Sequence, residues 1–128
     1  QYGRKWVSQR GNIFMTIYFN LKKKMTVKSL SKKVYTVIKQ SLEKFVYNKI
    51  TIKLPNDLLI DGSKVCGILQ ETITYNNNKF FVVGISINII KSPKIDNKHV
   101  SFLQKYNNNK IKKTDIYKKI KNNFEKFI

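Results

Sequence analysis

The 128-residue chain contains no alanine, only two prolines and two arginines, and one each of cysteine, tryptophan and histidine. A single cysteine, Cys66, cannot build a disulfide framework. That excludes a disulfide-stapled secreted scaffold and makes a reducing cytoplasm the expected setting. No run of about eighteen apolar residues occurs, so no helical membrane span is expected. The opening residues Gln1-Tyr2-Gly3-Arg4-Lys5 carry neither an initiator methionine nor the apolar stretch of a secretion signal. No signal peptide is therefore expected. His99, the lone histidine, lies in a polar segment without companions to share a metal and is expected to face solvent. No metal-ligating residues are assigned. Acidic residues are scarce too, with seven Asp and Glu against 26 Lys and Arg, a net charge of +19. Yet 41% of the residues are hydrophobic and 12% aromatic, enough apolar mass to fold as one domain or part of one.

The excess of cations invites a nucleic-acid reading, since lysines that neutralise phosphates release counterions and gain affinity. The composition argues against it. Lysine (24), isoleucine (17) and asparagine (14) fill 55 of the 128 positions, and all three are encoded by A/T-rich codons. Arginine, the better bidentate reader of phosphates and base edges, is nearly absent. Residues 1–25 carry +6, 26–90 carry +5 and 91–128 carry +8, so no one stripe concentrates the charge. Most of the lysines are expected on solvated faces, with no specific nucleic-acid partner.

Hydrophobic alternation over 12–20, with Ile13, Met15, Ile17 and Phe19 on one side, predicts a strand apolar enough on both faces to be central. Thr26 is placed to cap a helix whose apolar residues Val27, Leu30, Val34, Ile38, Leu42 and Phe45 step by three and four. That helix is expected to end near Tyr47-Asn48. A second strand over 49–54 stops at Pro55, and a short third one covers 58–60. Asp61-Gly62 and Asn76-Asn77-Asn78 then supply tight turns that join strands over 64–75 and 79–90 in an antiparallel meander. Ser92-Pro93 breaks the pattern, 97–113 is polar and rich in asparagine, and Thr114 is expected to cap a last helix. Ile116, Tyr117, Ile120, Phe124 and Phe127 are expected on one side of it. The order reads as α+β, a mixed, mostly antiparallel sheet flanked by helices.

Four segments carry polar and small residues that neither a core nor a loop requires. Gly3-Arg4-Lys5-Trp6, followed by Ser8 to Asn12, combines cations with an indole that could bind phosphate and stack on a flat ring. Lys53-Leu54-Pro55-Asn56-Asp57 puts a cation, an amide and a carboxylate around a rigid turn. In Lys64-Val65-Cys66-Gly67-Ile68-Leu69-Gln70-Glu71 a glycine interrupts a strand, which often marks close approach of a ligand. Gly84-Ile85-Ser86-Ile87-Asn88 alternates small residues along a buried strand. Each segment alone also reads as something ordinary: a frayed end, a turn, a bulge, a packed corner.

In this order and spacing the four segments closely resemble the biotin protein ligases. That family carries Gly-Arg-Lys-Trp followed by Ser-x-x-Gly-Asn, then Lys-Trp-Pro-Asn-Asp. A Lys-[Val/Leu/Ile]-x-Gly-Ile-Leu-x-Glu strand and a Gly-x-Gly-Ile-Asn strand follow. The resemblance covers about residues 1–90, leaving 91–128 as a polar connection and a C-terminal helix. It implies a partial catalytic domain over 1–128, with the fold shared by biotin ligases and class II aminoacyl-tRNA synthetases. The implied activity has two steps. Biotin and Mg-ATP give biotinoyl-AMP, and the acyl group then passes to a lysine of the biotin carboxyl carrier protein of acetyl-CoA carboxylase. The implied cofactors are ATP and Mg2+, with biotin as substrate.

Carried over by motif, the resemblance implies catalytic roles for Lys64, Asp57 and Lys53. Lys64 meets the biotin carboxylate, and Gly67, Ile68, Leu69, Gly84 and Ser86 line the biotin pocket. Arg4, Lys5, Trp6, Asn12, Asn56 and Asn88 serve the nucleotide and adenylate, with Trp6 packed on the adenine and Asn88 bonded to it. Cys66 occupies the variable position of its motif and is expected to be a small core side chain. The chain departs from the family in three places. Leu54 replaces a tryptophan, Ser86 replaces the second glycine of Gly-x-Gly-Ile-Asn, and Gln1 stands where an arginine is usual. The family's upstream Ser-Thr pair and glutamine for the biotin ring are not in these 128 residues. Neither a DNA-binding helix-turn-helix before Gln1 nor a small β-barrel after Ile128 is expected. Three readings therefore compete: a ligase catalytic core, a remnant keeping only the fold or weak nucleotide binding, and a charge-driven nucleic-acid module. A homodimer through a sheet edge is a further expectation.

Overall fold

The computed structural model describes residues 11–21, 26–92 and 99–127. Its strands are β1 (Ile13–Asn20), β2 (Thr51–Lys53), β3 (Asp57–Ile60), β4 (Ser63–Tyr75) and β5 (Asn78–Ile87). The helices are α1 (Val27–Glu43) and α2 (Lys113–Phe127), with a short 3-10 turn at Leu103–Tyr106. The strands form one sheet in the order β1-β5-β4-β3-β2, and every ladder is antiparallel. Among the described residues the one parallel contact is an isolated bridge between Lys64 and Val100. Both hairpin turns bring two residues to positive φ, Asp61 and Gly62 in one, Asn76 and Asn77 in the other. Those are the residue types that tolerate the left-handed region at the centre of a two-residue hairpin.

Strand alternation divides the sheet into two unlike faces. One packs against the helices and forms the core. In register across it lie Ile13 with Ile87, Met15 with Ile85 and Phe19 with Phe81, continued on β4 by Cys66 and Ile68. Against them α1 buries Leu30, Val34, Ile38 and Leu42, and α2 buries Ile116, Ile120 and Phe124. The rings of Phe19 and Phe124 meet 5.9 Å apart. The other face carries the polar motifs.

Thr26 caps α1 as expected, its Oγ1 accepting the Ser29 N–H at 3.2 Å. The helix stops at Glu43, short of the expected Tyr47-Asn48. There the Phe45 N–H turns back to the Leu42 carbonyl, and Phe45 and Val46 reach the core from outside the helix. The Glu43 carboxylate then holds the next segment, accepting from Lys39 Nζ (3.3 Å) and from the Ile50 N–H (3.1 Å).

Three further expectations need correction. Thr114 does not cap α2, because the helix already includes Lys113 and the Lys112 carbonyl accepts the Asp115 N–H at 3.0 Å. Tyr117 is exposed instead of joining the buried stripe of Ile116, Ile120 and Phe124, while the Phe127 side chain lies outside the described residues. β1 lies at one edge of the described sheet rather than at its centre, and among the described strands it pairs with β5 alone.

The polar stretch after β5 is more structural than its composition suggests. Leu103 and Ile111 are buried in the core. The Ser101 N–H donates to the Lys64 carbonyl (2.8 Å), the Leu103 N–H to Asn88 (2.9 Å) and the Gln104 N–H to Ile89 (2.8 Å). This segment therefore stitches the start of β4 to the end of β5.

Asn12 performs the same service at the other side of β5. Its buried Oδ1 accepts the N–H groups of Ile89 (2.7 Å) and Ile90 (3.2 Å), and its Nδ2 donates to the Lys91 carbonyl (3.0 Å). Removing that amide strands two backbone donors, each worth roughly 1–3 kcal/mol when left unsatisfied. Asn12→Ala should therefore lower unfolding stability by about 2–4 kcal/mol, read as a fall in the urea midpoint.

Candidate functional site

The open face of the sheet gathers most of the sequence-predicted residues into adjoining rows. Register places Lys53 opposite Asp57, Asp57 opposite Gly67, Gly67 opposite Ser86 and Ser86 opposite Phe14. The next row on that face runs Leu69, Gly84, Thr16. Segments far apart in the chain thus meet on one surface with a glycine at the centre of each row. Phe14 and Thr16 were not singled out from sequence, because an apolar strand at a sheet edge gives no local sign of which neighbours it borders.

Lys64 reaches this surface through a break in register. Leu58 pairs with Cys66, but Leu59 pairs with Lys64, so Val65 is an extra residue in β4. Regular alternation would put Lys64 and Gly67, three apart, on opposite faces. The bulge absorbs one residue, buries Val65 and Cys66 together, and turns Lys64 onto the face of Gly67. Its Nζ lies 3.1 Å from Asp57 Oδ1. A Cβ built on Gly67 would meet Lys64 Nζ at 3.2 Å and Ser86 Oγ at 3.1 Å. The glycine is thus a notch into which an ammonium and a hydroxyl lean from opposite sides.

The remaining predicted residues lie at the end of these rows or away from them. Lys53 and Asn56 are exposed at the β2–β3 turn, where the Asn56 carbonyl accepts the Ile68 N–H at 2.7 Å. The Leu54–Pro55 peptide in this turn is cis. Ile68 does not line the pocket with its side chain, because alternation sends it into the core beside Ile85. Asn12 is buried, its amide bonded to Ile89, Ile90 and Lys91. Asn88 is half-buried just past β5, with Nδ2 donating to the Ser101 carbonyl at 3.1 Å. Arg4, Lys5 and Trp6 lie outside the described residues.

Beneath the site the core stays neutral. Cys66 faces the helices, fully buried, and desolvation drives its thiol pKa far up, opposed by the nearby Lys64 charge. Burial likewise raises the Tyr35 hydroxyl, with a hydrogen bond from Gln70 acting the other way. The Asp57–Lys64 pair stands at the surface, its side chains 30% and 39% exposed. Water therefore screens it, and its worth lies in placing charge rather than in holding the fold. A cavity of about 610 Å³ between α1 and α2, lined by Lys44, Lys119 and Lys126 among others, shares no residue with the motifs. Among the described residues no three His, Cys, Asp or Glu side chains are grouped to hold a metal ion. No described helix is long and apolar enough to cross a membrane.

An ammonium held by a carboxylate over a glycine floor, on a sheet with helices behind it, marks the open face of an α+β domain. Residues 1–88 match the biotin/lipoate A/B protein ligase family, and the chain belongs to that family. It is 32% identical over 90 residues to the bifunctional ligase/repressor BirA of Escherichia coli, an alignment covering 68% of this chain and 28% of BirA. It is 50% identical over 44 residues to biotin–protein ligase 2 of Arabidopsis thaliana, covering 34% of this chain and 13% of that protein. The fold matches the Aquifex aeolicus biotin protein ligase in complex with biotin and ATP, with a TM-score of 0.72 and 25% identity. That match covers 99% of this chain and 56% of the Aquifex chain. The Plasmodium falciparum lipoate-bound LipL1 shares the fold at a TM-score of 0.68 and 19% identity, over 91% of this chain and 34% of that one. The chain thus spans about half or less of the relatives it resembles.

Two outcomes follow from the site's electrostatics. Asp57→Asn should change unfolding stability by less than about 1 kcal/mol in urea titrations, because the pair is partly exposed. Cys66 gives the second. The unfolded thiol ionises near its ordinary value of 9.0, while the folded one keeps its proton. Its contribution is complete below that pH and is lost as pH rises above it, with a slope of up to about 1.4 kcal/mol per unit. Urea midpoints measured from pH 8 to 10 should fall more steeply for the native chain than for Cys66→Ala.

Proposed function

We propose that this chain carries the ligand-activating part of a biotin protein ligase, joining biotin to ATP and passing the acyl group to a carrier lysine. A carboxylate oxygen of biotin attacks the α-phosphorus of ATP, and pyrophosphate leaves. The carrier's lysine amine then attacks the acyl carbon, and AMP leaves. Both partners of the first step are anions, so cations must be in place before they can meet. The observation that carries the reading is Lys64 Nζ, fixed 3.1 Å from Asp57 and poised over the Gly67 notch.

In this reading Lys64 takes the biotin carboxylate, and Gly67, Leu69, Gly84 and Ser86 form the floor and walls of the ligand pocket. Lys53, exposed at the rim, faces the phosphates, with Asn56 beside it. Asn88 borders the adenine. Arg4, Lys5 and Trp6 are proposed to close over the adenylate. A magnesium ion would arrive on the nucleotide's phosphates, with Asp57 the carboxylate this site can offer it; when bound it neutralises phosphate charge. The proposed partner is a biotin carboxyl carrier protein, as of acetyl-CoA carboxylase, and the proposed setting is the cytoplasm.

Incubation of the chain with biotin, ATP and magnesium should yield biotinoyl-AMP detectable by mass spectrometry. Lys64→Met should reduce its rate at least about a hundredfold, the scale seen when one donor to a developing oxyanion is lost. Adenylate formation unchanged by Lys64→Met would overturn the role of Lys64. Absence of any adenylate from the native chain would favour a remnant that keeps the fold without turnover.

A further inference from the structure

Ser86 stands where its register partner is Gly67, on the face that carries Lys64 and Asp57. Its Oγ and Lys64 Nζ lie 3.1 Å and 3.2 Å from the position a Cβ on Gly67 would take. They come from different sides. Ser86 leans in from β5, whereas Lys64 folds back along β4 from the bulge, braced by Asp57 on β3. The half-buried Ser86 hydroxyl makes no hydrogen bond among the described residues. Asp57 occupies one side of the lysine ammonium, which has three N–H donors and so keeps others for a ligand.

The two groups differ in what they supply. An ammonium is a point charge that attracts a carboxylate without fixing its rotation. A hydroxyl donor on a rigid central strand adds direction, and a carboxylate has two oxygens able to accept separately. We propose that Ser86 and Lys64 form a two-donor clasp for the carboxylate of a small monocarboxylic acid, with Ser86 the residue that orients it. The inference rests on the ligase reading for the reaction that follows but not for the binding itself. Biotin and lipoate both end in such a carboxylate, so the clasp selects the acid group and leaves the choice of ring to the rest of the pocket.

Calorimetric binding of biotin, lipoate and biotin amide to the native chain, Ser86→Ala and Ser86→Gly tests it. The amide keeps the ring and chain but lacks the charged carboxylate. Both variants should bind the preferred acid about tenfold more weakly, the scale of one hydrogen bond to a charged group, while affinity for the amide stays within twofold. The tighter of the two acids identifies the ring. Equal binding of the acid by native and variant chains would overturn the clasp while leaving the ligase reading intact. A parallel loss for acid and amide would also overturn it, since Ser86 would then only shape the pocket. Serine-dependent acid binding without adenylate formation would keep the clasp and sink the ligase reading. No binding of either acid by the native chain would sink both.

Discussion

The extra residue in β4 opposite Leu58 and Leu59 decides where the site's cation points, and the arrangement around it depends on that one irregularity. Without the bulge, Lys64 would share a face with Cys66 and Ile68, under the helices, where an ammonium could not be desolvated cheaply. With it, Val65 and Cys66 enter the core side by side and Lys64 emerges beside Asp57 and Gly67. A strand of regular pleat could not place a lysine and a glycine three residues apart over the same notch.

The sheet separates two kinds of chemistry through a single layer of backbone. On the helix side the side chains are mostly aliphatic or aromatic, and the thiol of Cys66 and the hydroxyl of Tyr35 are held neutral by burial. On the open side, glycines, a serine, a lysine and an aspartate lie in register. The frame that keeps those rows aligned is made largely of side-chain-to-backbone and loop hydrogen bonds. Asn12 holds the end of β5, the 99–104 segment ties Lys64, Asn88 and Ile89 together, and Glu43 secures Ile50. Rigidity of this kind suits the proposed ligand site, whose donors would have to act without reorganising.

The charge of +19 contributes little to that arrangement. Lys39 meets Glu43 and Lys64 meets Asp57, and of these two pairs the second lies at the motifs. Many of the other lysines stand on solvated helix and turn positions, as expected for cations spread along the chain rather than gathered in one stripe. Lys44, Lys119 and Lys126 border the groove between α1 and α2, away from the glycine rows.

By itself the sequence determined the element types, the antiparallel meander, the two hairpin turns and the membership of four segments in one family pattern. These are local properties: alternation, capping, positive φ, and strings of chemically distinctive residues. The Asp57, Lys64, Gly67, Ser86 group was legible as a set of names. Its geometry was not. Only the tertiary structure decided that Ile68 belongs to the core, that Lys64 crosses to the open face, and that β1 borders β5 alone among the described strands. It also decided that Asn12 is spent on Ile89, 77 residues away. Register, bulges and hydrogen bonds across such distances leave no periodic trace along a chain, because they are settled only when separate segments compete for the same backbone partners.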